Sequence, residues 1–239
     1  MFFVGLHQPP DSRHFERSFI SVNRLRKRRS AVPAPAWIMD SGAFSTIAAH
    51  GGYPHPVEEY AALIRRFAGG NLLAAVAQDY MCEPGALAKT GLTIPEHQRL
   101  TIERYDALLA CNTGVYIMPV LQGFMPGDYV DHLRAYGARL TPGMWVGVGS
   151  VCKRNKNPMS IARVLMAIKA ERSDLLLHGF GVKLTALGSG LVRGMLHSAD
   201  SMAWSYAARM QGGNANDWRE AKAFEERVES QAFQRELFV

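Results

Sequence analysis

Along this chain, short unbroken apolar runs alternate with segments in which apolar residues recur every three or four positions. The runs are FFVGL (2–6), AWIMD (36–40), LLAAVAQD (72–79), VYIMPVLQG (115–123), MWVGVGS (144–150), LLLHGFG (175–181) and the shorter LHSAD (196–200). Continuous rather than alternating hydrophobicity is the pattern of strands buried on both faces of a parallel sheet. Between them, VEEYAALIRRFAG puts Val57, Tyr60, Ala61, Ile64 and Phe67 on one helical stripe with charges opposite. PEHQRLTIERYDALLA opens with Pro95 at a first helical position, and PGDYVDHLRAYGARL and PMSIARVLMAIKAER follow the same scheme. TALGSGLVRGML, with three internal glycines, is a poorer helix former. A charged amphipathic helix is predicted from about Asp217 to Glu236.

Strands and helices in alternation predict a parallel sheet. Seven or eight strands in 239 residues fit a compact (β/α)8 TIM barrel forming one domain over residues 1–239. A doubly wound open sheet is the alternative, but GLHQPP after the first strand is not a glycine-rich phosphate loop.

Composition narrows the class further. Hydrophobic content of 48% and charged content of 20% are globular, and no apolar run approaches the ~20 residues of a membrane span. The N-terminus lacks the pattern of a secretory leader, so the cytosol is the expected compartment. Cys82, Cys111 and Cys152 are far apart and form no C-x-x-C pair, which argues against a disulfide framework and a zinc ribbon. The net charge of +6 suits an acidic partner such as nucleic acid. The densest basic segment is a loop at about 23–30, where Arg24, Arg26, Lys27, Arg28 and Arg29 are candidates for phosphate contact.

In a barrel of this kind chemistry sits at the C-terminal ends of the strands. Those ends read Asp40-Ser41-Gly42, Asp79, Gln122-Gly123, Gly147 to Ser150, His178 to Gly181, and Asp200-Ser201. Individually these residues are ordinary turn formers or caps; Asp200, for instance, is also placed to cap a helix over Ala203 to Arg209. Together they bring three carboxylates and one carboxamide to one face. Two carboxylates facing a reactive carbon suit substitution at an anomeric centre. A third, with a carboxamide and backbone N–H groups, suits a guanine-like edge, and Gly147 and Gly149 would let a flat ring approach the backbone.

MDSGAFS, PVLQG, VGVGSVCKR, HGFGVK and SADSMAWSYAAR, in this order over about residues 36–210, resemble the tRNA-guanine transglycosylase superfamily. More specifically they are similar to its DpdA-type branch, which modifies DNA with 7-deazaguanines. The resemblance implies a TIM barrel and base exchange, guanine in DNA being replaced by a 7-deazaguanine such as preQ0. By motif, Asp200 resembles the nucleophile that attacks C1′, and Asp40 the acid/base residue beside the exchanging base. Asp79 and Gln122 resemble readers of the base edge, with Gly149 and Ser41 as further contacts and Gly123, Gly147, His178 and Lys183 as looser substrate-site candidates. Lys153 and Arg154 in VGVGSVCKR and Arg209 after the nucleophile join the nucleic-acid-binding candidates.

The tRNA enzymes carry a Cys-x-Cys-x-x-Cys zinc segment after the nucleophile, and none of the residues after Asp200 here is cysteine. No zinc-binding subdomain, metal or cofactor is therefore expected, the 7-deazaguanine serving as co-substrate. That departure favours DNA as substrate over tRNA. A tRNA-directed transglycosylase, a non-catalytic nucleic-acid-binding subunit and a hydrolytic glycosylase remain alternatives. A homodimer or accessory modification proteins are the further partners to consider.

Overall fold

A computed structural model gives the architecture; it describes residues 1–154 and 157–236, with the side chains of residues 153 and 232–236 outside the described set. Nine strands run parallel: β1 (Phe2–Gly5), β2 (Arg17–Ser21), β3 (Ala36–Asp40), β4 (Leu72–Val76), β5 (Ile117–Met118), β6 (Val120–Leu121), β7 (Trp145–Val148), β8 (Leu176–Gly179) and β9 (Ser198–Ser201). Their order is β5-β4-β3-β2-β1-β9-β8-β7-β6. The two ends of that order flank Pro119, which has no N–H to give to a ladder. β5 and β6 are thus halves of one stave, the nine strands make eight staves, and the ring closes as a TIM-like barrel. The Pro119 carbonyl still serves, accepting from Gly147 N–H at 2.8 Å.

Helices α1 (Ala43–His50), α2 (Val57–Phe67), α3 (Pro84–Thr90), α4 (Ile94–Ala110), α5 (Pro126–Tyr136) and α6 (Pro158–Glu171) connect β3 through β8. Entry into α4 is fixed by a capping box, Thr93 N–H donating to Glu96 Oε2 at 2.7 Å and Glu96 N–H to Thr93 Oγ1 at 3.4 Å. The glycine-rich segment forms two short helices, α7 (Leu184–Leu187) and α8 (Gly190–Met195), parted at Gly188 and Ser189. No helix among the described residues is long and apolar enough to cross a membrane.

β1 and β2 are linked only by a 3-10 turn at Pro9–His14, and β2 leads through another at Val22–Arg24 into the basic loop. The outer face of β1 is covered instead from the far end of the chain, by α9 (Ala203–Met210) and α10 (Trp218–Glu236). Val4, Leu6 and Phe15 pack there with Trp204, Ala221 and Phe224, and Trp204 Nε1–H donates to Gly5 O at 2.8 Å.

Aromatic side chains fill the barrel. Phe3, Phe19, Trp145, Phe180 and His178 meet ring to ring, with centroids 4.9–6.0 Å apart. Such edge and stacked contacts suit rings with negative faces and positive edges. They make a rigid floor for whatever sits at the C-terminal mouth.

Candidate active site

At that mouth a cavity of about 360 Å³ adjoins a larger one of about 530 Å³, the size of a small-molecule site. The larger cavity is lined by Asp40, Asp79, Gln122, Gly149 and Asp200 together, from five different staves or the loops that follow them. Phe19, Phe44, Phe180 and Met202 give it apolar walls.

Asp200 lies within β9 rather than at a helix N-cap; that position before α9 belongs to Met202. Its side chain is almost buried, and Oδ1 accepts from Gly181 N–H at 3.0 Å and from His178 Nε2 at 3.3 Å. A carboxylate can only accept, so Nε2 must carry hydrogen. In the neutral ring Nδ1 then accepts from the Ser198 hydroxyl at 2.9 Å, and Ser198 Oγ accepts from Trp145 Nε1–H at 2.7 Å. Trp145, Ser198 and His178 therefore form a line of donors ending on one oxygen of Asp200. His178 is fully buried and acts on Asp200 from behind; it does not line the cavity. His178→Phe keeps a ring in the aromatic floor but removes one of the two donors to Oδ1, leaving only Gly181 N–H. Turnover is expected to fall about 10²-fold, the scale of a misplaced reacting group, with the fold retained and the melting temperature lowered, because the buried Ser198 hydroxyl loses its acceptor. His178→Gln, which can again present an N–H, should recover part of the loss in the same assay.

Asp40 closes β3, and the chain must turn sharply beyond it. Gly42 makes that turn with φ 73°, where a side chain would be strained, and its N–H donates to Asp40 Oδ2 at 3.1 Å. Burial, and after it the charge of Asp200, push the Asp40 carboxyl up to about 6 against hydrogen bonds from Gly42, Ser21 and Ser41. The two carboxylates are thus electrostatically coupled across one cavity.

Asp79 follows β4 and sits in a connected polar network. Gln122 Nε2–H donates to Asp79 Oδ2, and Ser41 Oγ–H to Oδ1 at 3.4 Å. Gln122 Oε1 accepts from Ser150 Oγ–H at 2.7 Å, and Ser150 Oγ accepts from Cys82 N–H at 3.0 Å. Ser150 adopts φ 54°, an uncommon conformation for a residue with a side chain, and this network is what the strain supports. Gln122 is anchored at its backbone too, its carbonyl accepting from Gln98 Nε2–H at 2.8 Å and its N–H donating to His132 Nδ1 at 2.9 Å. Burial drives His132 down to about 4, keeping the lone pair that this contact needs. Burial also raises Asp79 to about 7, with the Gln122 hydrogen bond opposing and the Asp40 charge adding.

The glycines make room chiefly for the protein itself. A Cβ at Gly147 would overlap the Phe180 ring, and one at Gly149 the Gln122 carboxamide. Gly147 is therefore covered by the aromatic floor, whereas Gly149 still lines the cavity. Gly123 allows close packing, a Cβ there coming within 2.8 Å of the Asp128 Cβ. Lys183 is exposed at the start of α7 and does not line the cavity.

Among the basic candidates, Arg24 lines both cavities, and Arg26 and Lys27 line the smaller. Arg28 donates to Ser30 O at 2.9 Å and Ala31 O at 2.8 Å, so its guanidinium shapes the loop. Arg154 bonds Ser150 O and Phe124 O and lies 4.8 Å over the Phe124 ring. Arg29 and Arg209 are exposed, and the side chain of Lys153 lies outside the described residues. Among the described residues, no three His, Cys, Asp or Glu side chains gather as a metal-holding group.

Several lining residues escaped sequence reading: His7, Phe19, Ser21, Asn23, Phe44, Glu83 and Met202. Ser21 and Asn23 stand at or just beyond the end of β2, so locating β2 would have exposed them to the same strand-end reasoning, whereas His7 follows β1, whose end was not read as part of the site. A family model described as DpdA, DeoxyPurine in DNA protein A, matches residues 1–216. No curated protein matches the chain.

Proposed function

This chain belongs to the DpdA family of DNA-modification proteins, and on that premise we propose that it exchanges guanine in DNA for a 7-deazaguanine such as preQ0. The reading rests above all on one observation: Asp40, Asp79, Gln122 and Asp200 line a single cavity over an aromatic floor. Oδ1 of Asp200 is tied by two donors, so Oδ2 is assigned to the attack on C1′. As the Oδ2–C1′ bond forms, the C1′–N9 bond breaks and its electron pair leaves with guanine, which takes a proton from the Asp40 carboxyl. The incoming base gives its N9 proton back to Asp40 and attacks C1′, and the ester pair returns to Asp200. One N-glycosidic bond is traded for a similar one, and the covalent intermediate holds C1′ activated between the two bases.

Asp79 accepts from the guanine N1–H and 2-amino group, while the second Nε2 hydrogen of Gln122 donates to O6. A donor-rich edge draws negative charge onto Asp79, and like-charge repulsion then holds the remaining proton on Asp40, where the departing base needs it. Because only the ionised Asp79 accepts both donors, base binding releases a proton. Affinity for free guanine should rise about tenfold per pH unit up to about pH 7 and then level off. Calorimetric titration from pH 5 to 8 checks this; Asp79→Asn should bind weakly with a flat profile, and a flat profile in the unaltered protein would remove Asp79 as the reader.

The function itself is tested by incubating the protein with duplex DNA, tRNA and labelled preQ0, then digesting both to nucleosides. Label in the DNA nucleosides is expected. Label in tRNA alone would overturn the substrate, and abasic sites formed without added base would make the enzyme a hydrolase.

A further inference from the structure

The two cavities at the barrel mouth share His7, Asn23 and Arg24 but differ in charge. The larger holds the three aspartates; the smaller, lined by His7, Gln8, Asn23, Arg24, Arg26 and Lys27, contains no carboxylate. Two of its cations, Arg24 and Arg26, are held by neighbouring side chains. Arg24 Nη2–H donates to His7 Nδ1 at 3.3 Å. A guanidinium only donates, so Nδ1 carries the lone pair and Nε2–H donates to Ser205 Oγ at 2.8 Å. Burial and the charges of Arg24 and Arg209 hold His7 below its ordinary pKa, which preserves that lone pair. Arg26 Nε–H donates to Asn23 Oδ1 at 3.3 Å. The Asn23 amide in turn packs over Gly42, where a Cβ would come within 2.6 Å of Nδ2, beside the turn that carries Asp40.

We propose that the smaller cavity is a phosphodiester subsite, holding a backbone phosphate next to the nucleotide whose base enters the larger one. The inference rests on the reading of the chain as an enzyme acting on DNA. A polyanion is repelled by the carboxylates of the larger cavity, and extracting a nucleotide from a duplex costs a few kcal/mol. A phosphate seated on Arg24, Arg26 and Lys27 offsets both and fixes the register of the strand, since phosphate contacts position while base contacts specify. Arg24, at the shared rim, is the residue that couples the two subsites.

The test uses a fluorescent duplex of A·T pairs containing one G·C pair, with and without a single neutral methylphosphonate beside the guanine. Affinity is measured against salt for the unaltered protein, Arg24→Gln, Arg26→Ala, Lys27→Ala and their combination, with Arg163→Ala on α6 as a control. The triple variant should lower the slope of log affinity against log salt by about 1, each single variant by part of that, and the control not at all. The unaltered protein should bind the methylphosphonate duplex more weakly than the native one, and the triple variant should bind both equally. An unchanged slope in the triple variant, or continued discrimination by it, overturns the subsite. Base exchange is followed in parallel with labelled preQ0. Loss of slope in a protein that never exchanges base would refute the function and leave the subsite standing; exchange with an unchanged slope would do the reverse.

Discussion

Asp200→Asn is expected to lower base exchange by about 10⁴-fold or more while duplex DNA still binds. That is the scale on which removing a covalent nucleophile acts. The substitution is nearly isosteric, and Asn keeps an oxygen for the Gly181 N–H and the His178 Nε2–H that hold Oδ1. It also removes the charge that raises Asp40, so it relieves a repulsion within the cavity rather than breaking a structural pair. Rapid-quench exchange with labelled preQ0, beside a binding titration, separates chemistry from binding. Unchanged exchange would strip Asp200 of its role; loss of binding in step with exchange would make it a binding residue.

Asp40→Asn should cost about 10²- to 10⁴-fold, the usual contribution of a positioned acid–base group. Asn can still accept from Gly42 N–H but cannot deliver a proton. The deficit should shrink for a leaving base whose anion is more stable, a signature that a merely structural role would not give. Stability should move in the opposite sense. The folded pKa of about 6 lies above the ordinary value of 3.8, so Asp40 favours folding below about pH 4 and loses that contribution as pH rises through 6. At pH 7.5 the buried carboxylate is a liability, and Asp40→Asn is expected to melt no lower than the unaltered protein. Calorimetric scans at pH 4.5 and 7.5 check the sign; a lower melting temperature at pH 7.5 would contradict it.

Most of the barrel was legible because its strands are buried on both faces and read as unbroken apolar runs. AWIMD became β3 at its predicted bounds, and VYIMPVLQG held two paired halves around Pro119. β2 was not legible: RSFIS is short, alternates in burial and lies between charged residues, which hides it beside a basic loop. α1 and α3 were hidden too, at eight and seven residues, with glycines at their ends. The convergence of Asp40, Asp79, Gln122 and Asp200 followed from topology alone, since a closed parallel barrel brings the C-terminal ends of all its staves to one mouth. What supports them did not. The Trp145–Ser198–His178 line joins three neighbouring strands, and no spacing within one segment announces it. The occupant of each glycine gap was equally invisible, because Phe180 and Gln122 reach Gly147 and Gly149 from other strands.

In the proposed mechanism an aspartate at the end of β9 becomes bonded to the sugar whose base it releases. That bond is sought by mixing the protein with a duplex containing a single guanine, with no incoming base, then quenching in denaturant and mapping peptides by mass spectrometry. A deoxyribose-linked strand is expected on the peptide containing Asp200, discharged when preQ0 is added before the quench. Full exchange activity with no such adduct, or an adduct carried by Asp40, would contradict it.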